Sequence, residues 1–543
     1  MIKINIKKEH LINISPVVLG VLAFLFVVGP RVLLPTNIAW LANGDPSQHF
    51  LGWQFFRNSP WQIPVGLNYN FGLDLKNSIV FTDSNPILAF IFKPLSPFLP
   101  KVFQYFGFWL LICFILQSWF GWKLATLISK NKLICLLSSG IFLFSPIFLN
   151  RLTVHLSLSG HFLVLAALYL SLRSNQGKRT CFWALTLSIT ALTHAYLLLM
   201  VLIIWASDLV NRLIKKNNSL SKSIIEFFII LLITLILCWQ AGYFSVSGGS
   251  VANGYGIYRM NILSPFDPDN WSYVLQDIPG TQDRLESFNF IGTGVIILLL
   301  IGTISISGIK VFSIFYYNLP LLFSVIGLFF FSLSNNIGFG PYNFTYPIHD
   351  SIYEIANIFR ASARFFWPAY YLIFLTAIYL TVKFNGSKKA TILLSVALII
   401  QIADMSKTII SIHRTMMIPP NSKWESPLKD SFWEYAGKKY KKLRVIPLYN
   451  NFPSWNVLAD YASSYGMATD AVYLARIDVK KVDLINSRNA QMINSGDYSK
   501  DSLYIVSPDH VDQVKSHLKT VDKLIKVDGF NVIAPNCEIC ETQ

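Results

Sequence analysis

The sequence predicts a mainly α fold: a polytopic membrane helix bundle of about eleven spans, followed by a small C-terminal α/β domain. Three observations carry this. The 543 residues are 53% hydrophobic and 14% charged, with a mean hydropathy of +0.47, whereas a soluble chain carries about a quarter charged residues. Apolar stretches of about 20 residues recur through the first part of the chain, the length a bilayer core requires. From about Met416 the composition turns soluble. Residues 1–412 therefore read as the bundle and 413–543 as an extracytoplasmic domain.

The N-terminus places Lys3, Lys7 and Lys8 before an apolar run that ends near Leu34. The run is too long for a signal-peptide core and no small-residue cleavage site follows, so it reads as a retained first span. Further spans are expected at about 101–128, 132–150, 154–172, 180–195, 196–212, 223–242, 290–308, 311–332, 365–384 and 390–411. The stretch 180–212 also reads as one long helix, which would make the count even. The formal charge of +16 gathers in short loops: Lys130/Lys132, Arg173/Lys178/Arg179, Arg212/Lys215/Lys216/Lys222, Lys310 and Lys383/Lys388/Lys389. All fall on the side of the N-terminal lysines, which is the positive-inside pattern. No nucleic-acid-reading motif accompanies the charge. The N-terminus is then cytoplasmic, the C-terminal domain periplasmic or extracellular, and the host membrane the inner one. Cys113, Cys135, Cys181 and Cys238 sit in apolar spans as small hydrophobes, while Cys537 and Cys540 are too few for a metal site and read as a tail disulfide or a loose tail.

With this topology the long loops 35–100, 243–289 and 333–364 lie outside. The first holds Gly44-Asp45-Pro46-Ser47-Gln48-His49 and Phe81-Thr82-Asp83-Ser84-Asn85-Pro86. Both read as helix starts: Asp45 as N-cap with Pro46 next and Gln48 closing a capping box, then Asp83 or Asn85 as the second cap. These helices are expected to lie on the membrane surface, with Phe50, Trp53, Phe56 and Phe90, Phe92, Leu95 at the interface. The second loop opens with Gly242, Gly248, Gly249, Gly254 and Gly256, without the Lys-Ser/Thr of a phosphate-binding loop, and reads as a flexible connector, with a mobile lid over a site as the sharper alternative. The third ends in Ile355 to Pro368, whose apolar spacing predicts an interfacial helix bearing Arg360 and Arg364 four apart. In the last domain, Val445–Leu448 and Leu503–Val506 read as buried strands, Asn456–Tyr465 and Asp509–Leu518 as helices, and Asp528-Gly529 as a hairpin turn.

Ionisable residues near the spans gather at the outer ends: Arg31, Arg151, His155, His161, His194, Arg364 and Asp404. Charge near hydrocarbon is costly and faces protein or a watery cavity. The set predicts a polar cavity opening outward, with His49, His155 and His194 lining it.

These segments, a long first outer loop with an acid soon after span one, about eleven spans and an outer C-terminal domain resemble the GT-C superfamily of integral-membrane glycosyltransferases. Gly44–Trp53, Phe81–Pro86, Phe103–Trp109 and Phe359–Pro368 also look like segments of a bacterial family of unassigned function with this architecture. The resemblance implies inverting transfer of a sugar from a polyprenyl-phosphate donor to a glycan or lipid acceptor. It gives the role of general base, or of support for metal binding, to Asp45, with Asp83 second, and admits a divalent metal (Mg or Mn). Donor phosphate binding falls to Arg360 and Arg364, with Arg151 in reserve, because arginine offers bidentate phosphate contacts. Asp45 departs from the superfamily pattern in having no acidic neighbour. Two other readings compete: a lipid-linked sugar flippase or transporter, for which the sequence shows no internal repeat, and a non-catalytic assembly protein.

Overall fold

The computed structural model describes residues 2–174, 177–246, 254–281, 285–304 and 318–537. Lys310, Gly248, Gly249, Cys540 and the first residues of the span expected at 311–332 lie outside them. The chain is mainly helical. It divides into two compact units: residues 1–34, 105–235 and 253–419 form the first, and 35–104, 236–252 and 420–543 the second.

Four helices are long and apolar enough to cross a membrane: Phe106–Thr126, Ala195–Ile214, Leu220–Ala241 and the stretch Ser362–Asp404. Shorter apolar helices, among them Lys132–Leu143, Thr293–Thr303 and Leu319–Leu333, accompany them. Their boundaries follow local chemistry. Asn131 accepts from the N–H groups of Leu133 and Ile134 and so starts Lys132–Leu143. Residues 180–212 form two helices, Arg179–Ala191 and Ala195–Ile214, and the His194 ring caps the second by accepting from Tyr196 N. Helix Trp367–Asp404 breaks at Gly386, whose φ of 67° and ψ of 165° leave the helical region. Gly107 is required by packing: a Cβ there would collide with the Val32 carbonyl, so the start of Phe106–Thr126 lies directly on the backbone of Pro30–Leu33.

One end of these helices carries a buried ion network. Arg179 and Arg212 both donate to Asp208, Trp183 Nε1 donates to it at 2.9 Å, and Arg212 continues to Glu226. Desolvated charge persists here because each carboxylate oxygen has a partner. At the other end of the bundle Asp404 accepts from Ser272 Oγ, Tyr273 N, Val274 N and Thr293 Oγ1. Residues 270–275 of the second long loop are therefore pinned, where the sequence reading expected a connector. The first unit also contains an antiparallel hairpin of β1 (Asn336–Phe339) and β2 (Tyr342–Thr345).

The second unit is built around a five-stranded mixed sheet of β3 (Lys442–Ile446), β4 (Ala468–Thr469), β5 (Ser502–Val506), β6 (Lys523–Val527) and β7 (Phe530–Ala534), in the order β4-β3-β5-β7-β6. The β3 strand pairs in parallel with β4 and β5, and the last two strands run antiparallel. All five residues of β5 are buried, which explains its unbroken apolar run. Asp528 and Gly529 take positive φ and close the hairpin between Val527 and Phe530. Helices Trp455–Ser464 and Val511–His517 fall where the sequence pattern puts them.

The first long loop belongs to this unit, and its aromatic residues correct the sequence reading. Phe50, Trp53 and Phe56 are 1%, 0% and 0% exposed: they fill protein core and do not face lipid. Phe55 stacks on Phe71 at 4.8 Å and joins the core shared with the sheet. An aromatic face reads the same in sequence whether lipid or protein covers it.

Candidate functional site

A tightly organised polar group of the first unit centres on Glu286, in the short turn Leu285–Ser287 that ends the second long loop. Three residues from two separate chain segments converge on its carboxylate. Arg151 closes helix Pro146–Asn150 and brings Nη1 to 3.1 Å from Oε2. His155 precedes the turn Leu156–Ser159 and places Nε2 at 3.0 Å from Oε1. Arg364, inside the turn Ser362–Phe366, grips both oxygens, Nε at 2.8 Å and Nη2 at 2.6 Å. That is the bidentate geometry in which arginine reads a carboxylate or phosphate. The arginine side chains are 3% and 7% exposed.

Aromatic rings floor the cluster. The Arg151 guanidinium lies 5.6 Å from the Trp367 ring centre and that of Arg364 4.6 Å from Tyr196. The Tyr196 hydroxyl accepts from Ala361 N, which fixes the ring. Beneath Trp367 lies His161, ring to ring at 4.2 Å, with Nδ1 bonded to the Tyr371 hydroxyl at 2.8 Å. Burial alone would raise the Glu286 carboxyl, but the two guanidiniums and the His155 bond outweigh it and hold the group well below the usual carboxylate range. The carboxylate is thus ionised and a weak proton acceptor. Chemically this is an anion cradle already occupied by an anion of its own chain.

The sequence-predicted residues divide accordingly. Arg151, His155 and Arg364 come together. His194 stands one residue removed, its ring 5.5 Å from that of Tyr196. Arg360 does not join them. The helix expected through Ile355–Pro368 stops at Asn357 and resumes as a tight turn at Ser362, so the spacing of four no longer puts the arginines on one face, and Arg360 lies over the Tyr258 ring. Phe365, Phe366 and Trp367 are buried and not at headgroup level. Instead Ile352, Ile355 and Ile358 are exposed there.

In the second unit, Asp45 is the first residue of helix Asp45–Asn58, with Gly44 at φ 64° as its N-cap, so Asp45 is not the cap. No capping box forms: Gln48 donates instead to the carbonyls of Phe81 and Tyr473. Asn85 is the N-cap of helix Pro86–Phe92 by backbone position, but its side chain makes no capping bond. Asp83, half-buried, takes a left-handed conformation with φ 51°. His49 is fully buried and its Nδ1 donates to the Thr82 carbonyl at 2.9 Å, which leaves Nε2 as the lone-pair nitrogen. His49 and Asp83 bring their ligand atoms within 4.8 Å of one another. An imidazole oriented by a backbone carbonyl beside a carboxylate is a donor pair that fits a divalent cation. Glu286 does not fit one, because arginine and histidine donors occupy both its oxygens.

A family model described as "Domain of unknown function (DUF6311)" matches residues 17–406, and a second, "DUF6311 C-terminal domain", matches residues 432–535. The chain belongs to the DUF6311 family. No curated protein matches it. Arg151, His155, Glu286 and Arg364 all fall inside the matched DUF6311 region. Within this DUF6311 chain, Glu286 is the residue that sequence reasoning missed. It resembles the other acids of its loop, Asp267, Asp269 and Asp277, and only its place beside an apolar span sets it apart.

Proposed function

We propose that this DUF6311 protein is a membrane glycosyltransferase of about eleven spans. In this reading it moves a sugar from a polyprenyl-phosphate donor to a glycan or lipid acceptor on the outer face. The observation that carries the proposal is the convergence of Arg151, Arg364 and His155 on one point over an aromatic floor. Such a point suits a phosphate on which negative charge grows as a bond to it breaks. Cys537 is disulfide-bonded, which supports an oxidising, extracytoplasmic location for the C-terminal domain.

The chemistry then runs as a single displacement. The acceptor oxygen bonds to the anomeric carbon, the carbon–oxygen bond to phosphate breaks, and its electron pair leaves with the polyprenyl phosphate. Arg151 and Arg364 hold that phosphate as its charge increases, and His155 donates a third hydrogen bond. By the resemblance, the acceptor proton passes to Asp45. By the resemblance, a divalent cation would be held by Asp83 and His49, where it would supply Lewis-acid chemistry.

Surface glycans and glycolipids of cells expressing wild type, Asp45→Asn or Arg364→Gln at equal levels test this. Loss of one glycan species in both variants and in a deletion is expected. An unchanged profile in the deletion would sink the transferase reading. Lipid-linked sugar accumulating on the inner leaflet would replace it with a flippase.

A further inference from the structure

Lys93 follows helix Pro86–Phe92 in the first long loop and is only 4% exposed. Its Nζ has no hydrogen-bond partner among the described residues. It lies 4.0 Å from the Phe56 ring centre and 5.0 Å from that of Trp61. Two aromatic faces attract a cation, but they do not replace the hydrogen bonds an ammonium loses on leaving water. Arg57, the other buried cation of this region, places its Nη1 and Nη2 donors on the carbonyls of Ser96, Pro100 and Lys101. Burial lowers the Lys93 pKa to about 8, so at pH 7 the group is still mostly the charged form.

The surface around it is unusual in the other direction. Trp61, Ile63, Ile91, Leu95 and Phe98 are 60%, 79%, 52%, 44% and 86% exposed. Trp61 touches the Lys93 ammonium, and the residues from Ile91 to Phe98 flank it in the chain. A desolvated cation without an anion, rimmed by large exposed apolar side chains, matches one ligand chemistry: an anionic phosphate attached to hydrocarbon. A free phosphate would use the cation and leave the rim in water. A protein partner would need an acid presented on an apolar surface, and nothing here selects that over lipid in a chain that carries membrane-length helices.

We propose that Lys93 binds the headgroup phosphate of an anionic membrane lipid whose chains lie against Trp61, Ile63, Ile91, Leu95 and Phe98. The inference is independent of the glycosyl-transfer reading, since it uses none of the cradle residues and no sugar.

Native mass spectrometry of the full-length protein in detergent, titrated with phosphatidylglycerol or with diacylglycerol, tests it. Wild type and Lys93→Arg should take up one phosphatidylglycerol in preference to diacylglycerol. Lys93→Gln should bind it about tenfold more weakly, as expected for loss of one charge-assisted contact. Equal binding by wild type and Lys93→Gln would overturn the proposal. So would inorganic phosphate that binds alone with the same dependence on Lys93, because the site would then read phosphate and not lipid. Should Lys93→Gln fail to fold, a nitroxide on Phe98→Cys in proteoliposomes decides the membrane contact. Accessibility to oxygen with protection from a nickel chelate is expected, and accessibility to the chelate would refute it.

Discussion

Replacing Glu286 by glutamine removes one charge and almost no volume, and its effect can be worked from the cradle itself. The carboxylate makes four contacts of 3.1, 3.0, 2.8 and 2.6 Å with Arg151, His155 and Arg364. At an effective dielectric near 20, each guanidinium at about 3 Å is attracted by roughly 5 kcal/mol before desolvation is counted. The two guanidiniums would also be left facing each other. Measured costs of breaking buried pairs are smaller than the Coulomb sum, about 3–5 kcal/mol, and the glutamine oxygen recovers part of one hydrogen bond. The expected result is a loss of about 3 kcal/mol, seen as a melting temperature lower by roughly 5 °C in detergent. The decisive arm adds pyrophosphate. In Glu286→Gln an added anion meets two guanidiniums that have lost the Glu286 carboxylate and restores stability, by about 2.7 kcal/mol at a hundredfold excess over its dissociation constant. In wild type it must first displace Glu286, so the shift at the same concentration is small. A variant as stable as wild type, or one that pyrophosphate does not stabilise, would refute the view that Glu286 holds the place of an anionic ligand.

Three further expectations concern the scaffold. Asp208→Asn leaves Arg179 and Arg212 short of a buried counter-charge and should cost about 3 kcal/mol, read as earlier thermal aggregation; an unchanged profile would mean that the network is solvated. Asp404→Ala frees the Tyr273 and Val274 N–H groups, and chymotrypsin cleavage at Tyr273 should accelerate about tenfold for each 1.4 kcal/mol of local stability lost; no change in rate would show that the loop is held elsewhere. In the C-terminal domain, burial raises the Asp470 carboxyl to about 7, against the opposing pull of Arg444 and with Asp74 adding to the rise. Its folded pKa thus exceeds the value of about 3.9 for an unfolded chain. The stability it contributes is fully present below about pH 4 and is lost as pH rises to about 7. Asp470→Asn should therefore melt progressively higher relative to wild type between pH 4.5 and pH 8, and a difference independent of pH would refute the assignment.

Much of the fold was legible because its signals are local. Apolar length marks Phe106–Thr126 and Leu220–Ala241, a continuous buried run marks β5, and Asp528-Gly529 marks a hairpin whose two residues need positive φ. Arg151, His155 and Arg364 were legible as charges stranded at span ends. What escaped depends on tertiary context. The i, i+4 rule that paired Arg360 with Arg364 holds only on an unbroken helix, and the break after Asn357 has no strong glycine or proline signal. The aromatic face of Asp45–Asn58 was assigned to lipid, yet Trp53 and Phe56 are core, because hydropathy does not say which apolar medium a side chain meets. Glu286 was invisible because its distinguishing property, two arginines from distant segments, belongs to the fold and not to its neighbours in the chain.

The presence of Glu286 also bears on how such a cradle can exist at all. Two guanidiniums fixed at one buried point in advance of a ligand would repel each other and lose hydration, a cost comparable to the whole stability of a domain. Loose arginines would avoid that cost, but each would then have to be ordered during binding, which weakens affinity. A carboxylate from a neighbouring turn resolves the conflict. It keeps Arg151 and Arg364 in place over Trp367 and Tyr196, and it sits on a short turn rather than in a long helix, so small backbone shifts can withdraw it. The arrangement has a built-in selectivity. A monovalent anion only exchanges one charge for an equal one and gains nothing from the displacement. A ligand that carries more than one negative charge, or that develops it during bond cleavage, brings the two guanidiniums more charge than the single carboxylate it displaces. That preference for growing charge is what phosphate departure from an anomeric carbon requires.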